Sequence, residues 1–341
     1  MNYELERLLQ RDFMEIAALP LPWKELKGKS IFTTGGTGFI GSYLIKCLCW
    51  LNRQMSLGIS FQLLRRSGAK PPFTDPCVRW IEGEIDQDFL PDTLSPDIII
   101  HMASPASSRA FQENPVELAK TNILATRYLL ERAKRCNSTF VFFSSAAVYL
   151  SQNARSAETE PSVLAAPGSA FSLYGASKLA GELLCKEFCQ KRHVDCRIVR
   201  PFNIHGPGDS LRCGRFFPDF LRQAMEEPEI IVTGSGKPVR DSCYLSDFVG
   251  GVLHVLLKGE NTIYNIGNED NACTILEFAQ RISELCGNRK VVGPLGMTTH
   301  TAGDILVPDT SRLRRLGWRP RIDLRTCIRY CLDSYQMAEN I

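Results

Sequence analysis

Apolar residues follow two patterns along the first 200 positions, one with helical spacing and one of short continuous runs. Residues 3–19 repeat apolar side chains at helical spacing and stop at Pro20 and Pro22, which predicts an amphipathic helix before the first strand. Short apolar runs, typical of strands, follow at 30–33, 60–64, 78–81, 97–101, 140–143 and 195–199, with helical patterns between several of them. Strands that alternate with helices indicate an α/β fold built on a parallel, doubly wound sheet.

The pattern changes from about residue 201, where proline and glycine become more frequent and the elements become shorter. We expect a smaller α/β lobe here, interleaved with the main sheet. Residues 151–172, rich in Ser, Ala and Pro, form the one long loop that the pattern predicts. Long loops of this kind often carry function, so we expect this one to border the functional site.

With 341 residues, 44% apolar and 23% charged, the chain has the composition of an ordinary globular protein. A net charge of +3, spread along the sequence, does not indicate a nucleic-acid partner. Thirteen scattered cysteines without a C-x-x-C pair fit a reducing compartment, and the charged N-terminus resembles neither a secretory signal nor a membrane span. We therefore expect a cytoplasmic protein without a membrane partner. The five dispersed histidines lack ligand spacing, so no metal site is expected.

A glycine-rich turn joins the first predicted strand to an apolar helix at 39–51. In this setting Gly35 permits a tight turn, Gly38 lets the backbone approach a phosphate, and Gly41 lets the helix pack on the sheet. The turn therefore predicts a Rossmann-type dinucleotide site. Its expected cofactor-binding residues are Gly35, Thr37, Gly38, Phe39, Ile40 and Gly41.

Far downstream, Tyr174 and Lys178 lie four residues apart in a predicted helix. This spacing places both side chains on one face, where the ammonium can favour the phenolate and move its pKa from about 10 towards neutrality. A tyrosine in that state can act as a base beside a nicotinamide. Together, the turn and the pair predict a redox enzyme.

Seven further segments follow a pattern known from one family: IIHMAS at 99–104, TN at 121–122, SSAAVY at 144–149, RPFNIHGP at 200–207, RD at 240–241, YNIG at 264–267 and LGW at 316–318. With them, nearly the whole chain resembles the extended short-chain dehydrogenase/reductase family of nucleotide-sugar epimerases and dehydratases. The resemblance implies a dinucleotide-binding Rossmann domain at 29–200 and a substrate-binding lobe at 201–341. The helical extension at 1–28, predicted from its apolar spacing, is extra to this minimal fold.

The resemblance also implies a tightly bound nicotinamide dinucleotide in its oxidised form. Many members carry an acid at the end of the second strand, but this chain has Arg65 and Arg66 there. A guanidinium suits a 2′-phosphate and can also stack on adenine, so NAD and NADP both stay open. Besides contacting the cofactor, Asn122 is expected to brace the neighbouring helix. The other cofactor contacts that the resemblance implies are Glu84, Ile85, Met102, Ala103, Ser104, Asn122, Tyr174, Lys178 and Pro201.

For catalysis, the resemblance implies Tyr174 as the base, Lys178 as the ligand of the nicotinamide ribose, and Ser145 as the hydrogen-bond partner of a substrate hydroxyl. The next two residues are Ala146 and Ala147. Relatives that dehydrate or decarboxylate a sugar usually place an acid here, and those that epimerise next to a ketone place a cysteine. Since alanine transfers no proton, the pair favours a reaction that needs hydride transfer alone.

The leading interpretation is a nucleotide-diphosphate-sugar epimerase that acts at carbon 4 through a transient keto sugar. His205 or Cys213 could supply a missing acid or base from another side of the site. The alternatives are an NAD(P)H-dependent ketoreductase or dehydrogenase and a nucleotide-sugar decarboxylase or dehydratase. A non-enzymatic dinucleotide sensor would not need Ser145, Tyr174 and Lys178 together.

The resemblance further implies that Asn203 and Arg240 hold the diphosphate of a nucleotide-sugar substrate, for which an arginine fork is well suited. Arg215 and Phe217 lie in a stretch that resembles the one around the nucleotide base. Two helices, at 115–134 and 171–190, commonly form a four-helix interface in the family. Because both segments have apolar faces here, we expect a homodimer.

Overall fold

The computed structural model describes residues 3–68, 70–85, 94–105, 115–149, 155–160, 162, 170–295 and 304–339. Its strands are β1 (Ser30–Thr34), β2 (Ser60–Arg65), β3 (Val78–Glu82), β4 (Ile98–His101), β5 (Thr139–Phe143), β6 (Cys196–Pro201), β7 (Ile204–His205), β8 (Glu229–Thr233), β9 (Val239–Arg240), β10 (Cys243–Tyr244), β11 (Ile263–Ile266), β12 (Cys273–Thr274), β13 (Lys290–Leu295) and β14 (Ile305–Leu306). Its helices are α1 (Tyr3–Ala17), α2 (Phe39–Met55), α3 (Pro115–Ala119), α4 (Ala125–Cys136), α5 (Ala170–Arg192), α6 (Phe216–Glu226), α7 (Leu245–Lys258), α8 (Ile275–Leu285), α9 (Ser311–Arg315) and α10 (Leu324–Glu339). A π-helical turn at Lys120–Leu124 joins α3 to α4, and short 3₁₀ turns lie at Trp23–Leu26, Ala146–Val148 and Glu269–Asn271.

Seven parallel strands form the central sheet, in the order β11-β6-β5-β4-β1-β2-β3. All six strands predicted from the apolar runs are present, so the predicted doubly wound α/β fold is confirmed. The strand order reverses between β1 and β4. In open parallel sheets of this kind, ligands bind beyond the carboxyl ends of the strands at such a reversal. The glycine turn follows β1 at that point.

Helices cover both faces of the sheet, which explains why the strands are apolar on both sides. On one face, Leu48 of α2 and Val252 of α7 belong to the same buried cluster as Ile31 of β1. On the other face, Leu129 of α4 and Phe188 of α5 pack on Phe140. The helix α5, which carries Tyr174 and Lys178, is therefore packed directly on the central strands of the sheet.

The chain after β6 divides between the main sheet and a second core. α7 and β11 complete the main core, whereas α6, α8 and α10 enclose a separate cluster that contains Phe220, Phe278 and Ile328. The chain after residue 201 thus contributes both to the main core and to this second cluster. Small sheets of β12-β9-β14, β8-β13 and β7-β10 lie in this part of the chain.

The N-terminal helix α1 lies across both parts of the molecule. Asp12 is buried, and its carboxylate accepts hydrogen bonds of 2.9 Å from the hydroxyls of Tyr43 on α2 and Tyr244 on β10. Arg11 pairs with Asp12 at 2.7 Å and lies 3.7 Å above the ring of Tyr330 on α10. The extension therefore joins the dinucleotide-binding part of the chain to the later lobe.

Most of the long loop predicted at 151–172 lies outside the described residues. Its described part runs beside the stretch after β14, where the amide of Ser156 donates to the carbonyl of Val307 at 2.8 Å. Among the residues with assigned positions, no helix is both long and apolar enough to cross a membrane.

Candidate active site

The glycine turn is built by close backbone contacts. Gly35 has a φ of +77°, and a Cβ at this position would lie 2.6 Å from the amide nitrogen of Ala103. A Cβ on Gly41 would overlap the carbonyl oxygen of Gly35. Only glycine leaves room for the turn at either position.

The turn also presents the N-terminus of α2, a helix of 17 residues whose first turn contains no acidic residue. The cap residue Gly38 offers no side chain to the first amides, and both Gly38 and Thr37 are exposed, whereas Phe39 and Ile40 are half-buried. Free amides and the helix dipole at this end favour an anion. This cradle, which a Cβ would fill, fits the pyrophosphate of a dinucleotide.

The floor of the cradle is the end of β4. The hydroxyl of Thr34 shares a 2.7 Å hydrogen bond with Nδ1 of His101 and accepts the amide of Ala103 at 3.2 Å. Burial, reinforced by the positive charge of Lys178, lowers the pKa of His101 to about 3. His101 is therefore neutral, and it fixes the half-buried segment of Met102, Ala103 and Ser104 against the turn.

The adenosine end of the site differs from the expectation for the two arginines. Arg65 forms an ion pair with Glu82 on the neighbouring strand β3, and Glu82 also accepts the amide of Gly68 at 3.1 Å. Arg66 and Glu84 are exposed, and Ile85 is half-buried. The charge of Arg65 is thus neutralised by the carboxylate directly opposite it on the adjacent strand, which the sequence pattern did not reveal.

The catalytic candidates converge at the end of β5. Ser145 caps the 3₁₀ turn that follows this strand, with its Oγ accepting the amide of Ala147 at 3.1 Å. The hydroxyls of Ser145 and Tyr174 share a hydrogen bond. Lys178, only 2% exposed, donates from Nζ to the carbonyl of Phe143 at 2.8 Å. The structure therefore brings the three predicted residues together.

The electrostatics of this group differ from the expectation in one respect. Burial raises the pKa of Tyr174, and the hydrogen bond with Ser145 only partly opposes it. Burial lowers the pKa of Lys178 to about 7, against the opposing effect of Glu182. The pKa of Tyr174 is therefore raised on balance and not lowered as predicted, with Nζ of Lys178 6.0 Å from the ring centroid and bound to a carbonyl.

A buried ion pair behind the catalytic group was missed from the sequence. Glu182, one turn beyond Lys178 on α5, accepts Nε of Arg200 at 2.7 Å and Nη2 at 2.5 Å. It also accepts the hydroxyl of Ser144 at 2.5 Å, and Arg200 donates to the hydroxyl of Tyr149. This network connects α5 to both ends of the Ser145 turn. The i,i+4 spacing of Lys178 and Glu182 was the only signal for it.

Asn122 lies in the π-helical turn before α4 and is completely buried. Its Nδ2 donates to the hydroxyl of Ser177 at 2.9 Å, and Ser177 in turn donates to the carbonyl of Tyr174 at 2.8 Å. This chain of hydrogen bonds links Asn122 to α5. π-Helical turns are frequent at functional sites. Pro201, another predicted cofactor contact, is half-buried at the end of β6.

The predicted diphosphate ligands lie together at β9. Asp241 is buried and accepts Nδ2 of Asn203 at 2.8 Å, and burial raises the pKa of Asp241 to about 7. Arg240 donates to the carbonyls of Val239 at 2.8 Å and Asp304 at 3.4 Å. Among the described side chains, no carboxylate forms an ion pair with Arg240. Its charge is therefore available to an anion, whereas the amide of Asn203 is partly occupied.

Arg215 and Phe217 are placed less favourably for a direct substrate contact. Arg215 forms an ion pair with Asp209 and donates to the carbonyl of Ile204 at 3.1 Å. Phe217 is 1% exposed, and its ring stacks on His205 at 3.9 Å. The side chain of Arg215 is already used in an ion pair, and that of Phe217 is already used in packing. Both residues therefore support the smaller lobe from its interior.

His205 and Cys213, the alternative acids or bases, flank the same cluster. Burial first, and then the charge of Arg215, lowers the pKa of His205 well below its usual value. Cys213 accepts Nε of Arg215 at 3.3 Å. His205 is consequently neutral and buried among core residues, which weakens its candidacy as a proton donor.

Replacing Gly41 by alanine is expected to reduce the cofactor retained on purification by roughly tenfold and to lower the free energy of unfolding by about 1–3 kcal/mol. The new Cβ would collide with the carbonyl oxygen of Gly35. Because this carbonyl and the helix α2 are both backbone, the collision can be relieved only by moving them apart. Gly36→Ala is the matched control, since its Cβ meets only the side chain of Leu63 at 3.6 Å. Nucleotide released on denaturation measures the first effect and urea unfolding the second. Equal cofactor content in both variants would contradict the assignment of the cradle.

Curated relatives cover most of the chain. It is 29% identical over 309 residues to UDP-glucuronic acid decarboxylase 2 of Arabidopsis thaliana, covering 90% of this chain and 68% of the relative. It is 30% identical over 310 residues to UDP-glucuronic acid decarboxylase 4 of the same plant, with coverage of 90% and 68%.

Solved structures share the fold. A UDP-glucose 4-epimerase from Thermotoga maritima superposes with a TM-score of 0.78 at 23% identity, covering 91% of this chain and 99% of that one. A dTDP-glucose 4,6-dehydratase from Streptomyces venezuelae with NAD bound gives a TM-score of 0.79 at 23% identity, covering 91% and 98%. The model of the NAD dependent epimerase/dehydratase family matches residues 31–267, which include the glycine turn, Ser145, Tyr174 and Lys178. The chain therefore belongs to the NAD dependent epimerase/dehydratase family.

Proposed function

We propose that this enzyme decarboxylates a nucleotide-linked uronic acid, with UDP-glucuronic acid as the first substrate to test. The observation that carries the proposal is the identity of the curated relatives, which are UDP-glucuronic acid decarboxylases that match 86–91% of this chain. They favour the decarboxylase alternative over the carbon-4 epimerase that the sequence analysis placed first. The site must then perform this reaction with Ala146 and Ala147 beside Ser145.

Decarboxylation of a uronic acid is compatible with alanine at positions 146 and 147. Oxidation at carbon 4 places a ketone β to the carboxylate at carbon 6. The bond between carbons 5 and 6 then breaks, its electron pair moves into the enolate, and CO2 leaves. No base is required for this step, and the one proton that must return to carbon 5 comes from water in this proposal, because Tyr174 returns its own proton to the 4-oxygen. Dehydration, by contrast, needs both a base at carbon 5 and an acid at the leaving hydroxyl, so it is the less suitable reaction for this site.

The described residues divide the remaining work. When bound in the cradle, NAD supplies a hydride acceptor and later a hydride donor at carbon 4. Tyr174 accepts the proton of the 4-hydroxyl and returns it when the ketone is reduced, and Ser145 hydrogen-bonds the same oxygen. Lys178 holds the ribose side and, through its charge, opposes the cost of forming a buried phenolate. Arg240 is the charged group available to the diphosphate.

NAD is the proposed cofactor rather than NADP. The ion pair of Arg65 with Glu82 neutralises the cation that would otherwise attract a 2′-phosphate. Arg66 is exposed and can turn to solvent. The family's description and the NAD-bound neighbours support the same choice. Mass spectrometry of the nucleotide released from the denatured protein distinguishes the two cofactors directly.

Incubation with UDP-glucuronic acid tests the reaction. We expect a UDP-pentose and an equal amount of CO2, without net consumption of added NAD. A product that keeps its carboxylate but has the opposite configuration at carbon 4 would instead identify an epimerase, the second candidate, which Ala146 and Ala147 favour. Consumption of stoichiometric NADH or NADPH would identify a ketoreductase. Parallel incubation with UDP-glucose tests the epimerase on a substrate that has no carboxylate to lose.

We also propose a homodimer formed through the helices that were predicted to pair. Val116, Leu124, Leu173 and Leu183 are large, exposed apolar side chains on α3, the π-helical turn and α5, and these elements pack side by side. Neighbouring exposed apolar residues mark interaction surfaces. Because α5 also carries Tyr174 and Lys178, the interface would lie on the back of the catalytic helix.

Replacing Leu183, 54% exposed, by glutamate is expected to convert the dimer into a monomer, because it places a charge in an apolar interface. Met14→Glu on α1 is the matched control, since Met14 is 61% exposed and lies on a different helix. Light scattering coupled to gel filtration measures the mass of each variant. A dimer that persists in the Leu183 variant, or dissociates equally in both, would contradict this interface.

A further inference from the structure

A compact group of potential ligands lies outside the active site. Cys49 is buried on α2, and Asp75 and Cys77 are half-buried just before β3. The sulfur of Cys77 is 3.5 Å from that of Cys49 and 3.0 Å from Oδ1 of Asp75, and all three ligand atoms lie within 4.8 Å of one another. Among the positioned residues, this is the only such group of three.

The group lies far from the cofactor cradle in the fold. β3 is the edge strand of the parallel sheet, and Cys77 immediately precedes its first residue. The glycine turn, by contrast, follows the last residue of β1. Parallel strands place their beginnings at one edge of the sheet and their ends at the other, so the two groups lie at opposite edges.

The distances suit a tetrahedral metal centre. Two sulfurs bound at about 2.3 Å to one tetrahedral zinc ion are separated by roughly 3.8 Å, and a sulfur and a carboxylate oxygen by roughly 3.5 Å. The observed separations of 3.5 and 3.0 Å are each within about 0.5 Å of these values. Small movements of the half-buried Cys77 and Asp75 are enough to admit the ion.

The charges also balance. Two thiolates and one carboxylate carry three negative charges, and Arg53, which forms an ion pair with Oδ2 of Asp75, supplies one positive charge. The remaining charge of −2 matches a divalent cation. Arg53 and the amide of Cys77, which donates to Oδ1 at 3.2 Å, also fix the carboxylate in place. Such hydrogen bonds to a ligating carboxylate are a regular feature of metal sites.

We propose that Cys49, Asp75 and Cys77 bind one zinc ion, with a solvent molecule at the fourth position. The thiolates select a thiophilic divalent metal over Mg²⁺ or Ca²⁺, which require oxygen ligands. The ion would join α2 to the segment that leads into β3. It would thereby stabilise the outer edge of the sheet, because binding to the folded state alone adds to stability.

Metal analysis of the full chain, purified with a reductant and stripped with a chelator, tests this site. After zinc is added and the excess removed by gel filtration, we expect about one zinc ion per chain in the wild type. Cys77→Ser, whose thiol is half-buried, should lose the stoichiometric zinc. Cys286→Ser, another half-buried cysteine in the smaller lobe, should retain it and serves as the matched control. Thermal melting without metal confirms that each variant is folded.

Cobalt(II) provides an independent measurement, because thiolate ligands give it intense charge-transfer absorption in the near ultraviolet. We expect this band in the wild type and in Cys286→Ser, and its loss in Cys77→Ser. Zinc that stays with Cys77→Ser, or a wild type that retains none, would overturn the proposal. A Cys49–Cys77 disulfide in protein purified without reductant, together with no zinc uptake after reduction, would identify a thiol pair instead of a metal site.

Discussion

Replacing Tyr174 by phenylalanine is expected to lower kcat by roughly 10²–10⁴-fold, the usual contribution of a general acid or base. The substitution removes the proton acceptor and the hydrogen bond with Ser145, but it keeps the aromatic ring. Turnover of UDP-glucuronic acid measures the loss. Because the cradle and Lys178 are untouched, the amount of bound nucleotide should stay the same.

Tyr128→Phe on α4 is the matched control for this experiment, since Tyr128 is also a half-buried tyrosine on a helix. It should keep wild-type kcat. If Tyr174→Phe retains more than about a tenth of the wild-type kcat, the proton is moved by another group and the assigned mechanism is wrong. A loss of bound nucleotide would show instead that the ring hydroxyl acts in cofactor binding.

Replacing Glu182 by alanine is expected to lower the free energy of unfolding by about 3–5 kcal/mol, the typical cost of breaking a buried ion pair by removing one partner. Arg200 would keep its charge at a buried position with only Tyr149 to receive it. Urea unfolding at neutral pH measures the change. In the double variant Glu182→Leu/Arg200→Met, which leaves neither charge behind, we expect part of the stability to return.

The milder variant Glu182→Gln reports on catalysis through its pH dependence. Burial lowers the pKa of Lys178 to about 7 even though the charge of Glu182 opposes that shift. Without that charge, Lys178 loses its proton at lower pH. The alkaline limb of the kcat/KM profile should therefore move to lower pH, whereas a purely structural loss would reduce kcat/KM at every pH without moving the limb.

The fold could be predicted because its signals are local. Each buried parallel strand is a continuous apolar run, such as Ile98–His101, and the strand-turn-helix order around Gly35 restricts the first βα unit. The N-terminal helix was likewise visible from its spacing. Its role was not, because Asp12 contacts Tyr43 and Tyr244 from parts of the chain whose meeting depends on tertiary structure.

Site residues could be predicted where one sequence motif defines their role. They could not be predicted where the role depends on an ion-pair partner that only the tertiary structure brings near. Ser145, Tyr174 and Lys178 come together as expected. The pairing of Arg65 with Glu82 and of Arg215 with Asp209 was not visible, and it changes what each arginine can bind. The choice of reaction also depends on what each reaction requires. Ala146 and Ala147 argue against dehydration, which needs both a base and an acid, but not against loss of CO2 from a β-keto acid, which needs no base.

Two contacts of α1 involve residues far along the chain, so they can form only late in synthesis. Asp12 receives its hydrogen bond from Tyr244, 232 positions later, and Arg321 donates to the carbonyl of Glu15 across 306 positions. α1 can contact Tyr43 on α2 early in synthesis, but its contacts with Tyr244 and Arg321 form only after those residues have been made. A ribosome stalled before Arg321 would leave that contact unmade, although the glycine turn and Tyr174 would already have been synthesised.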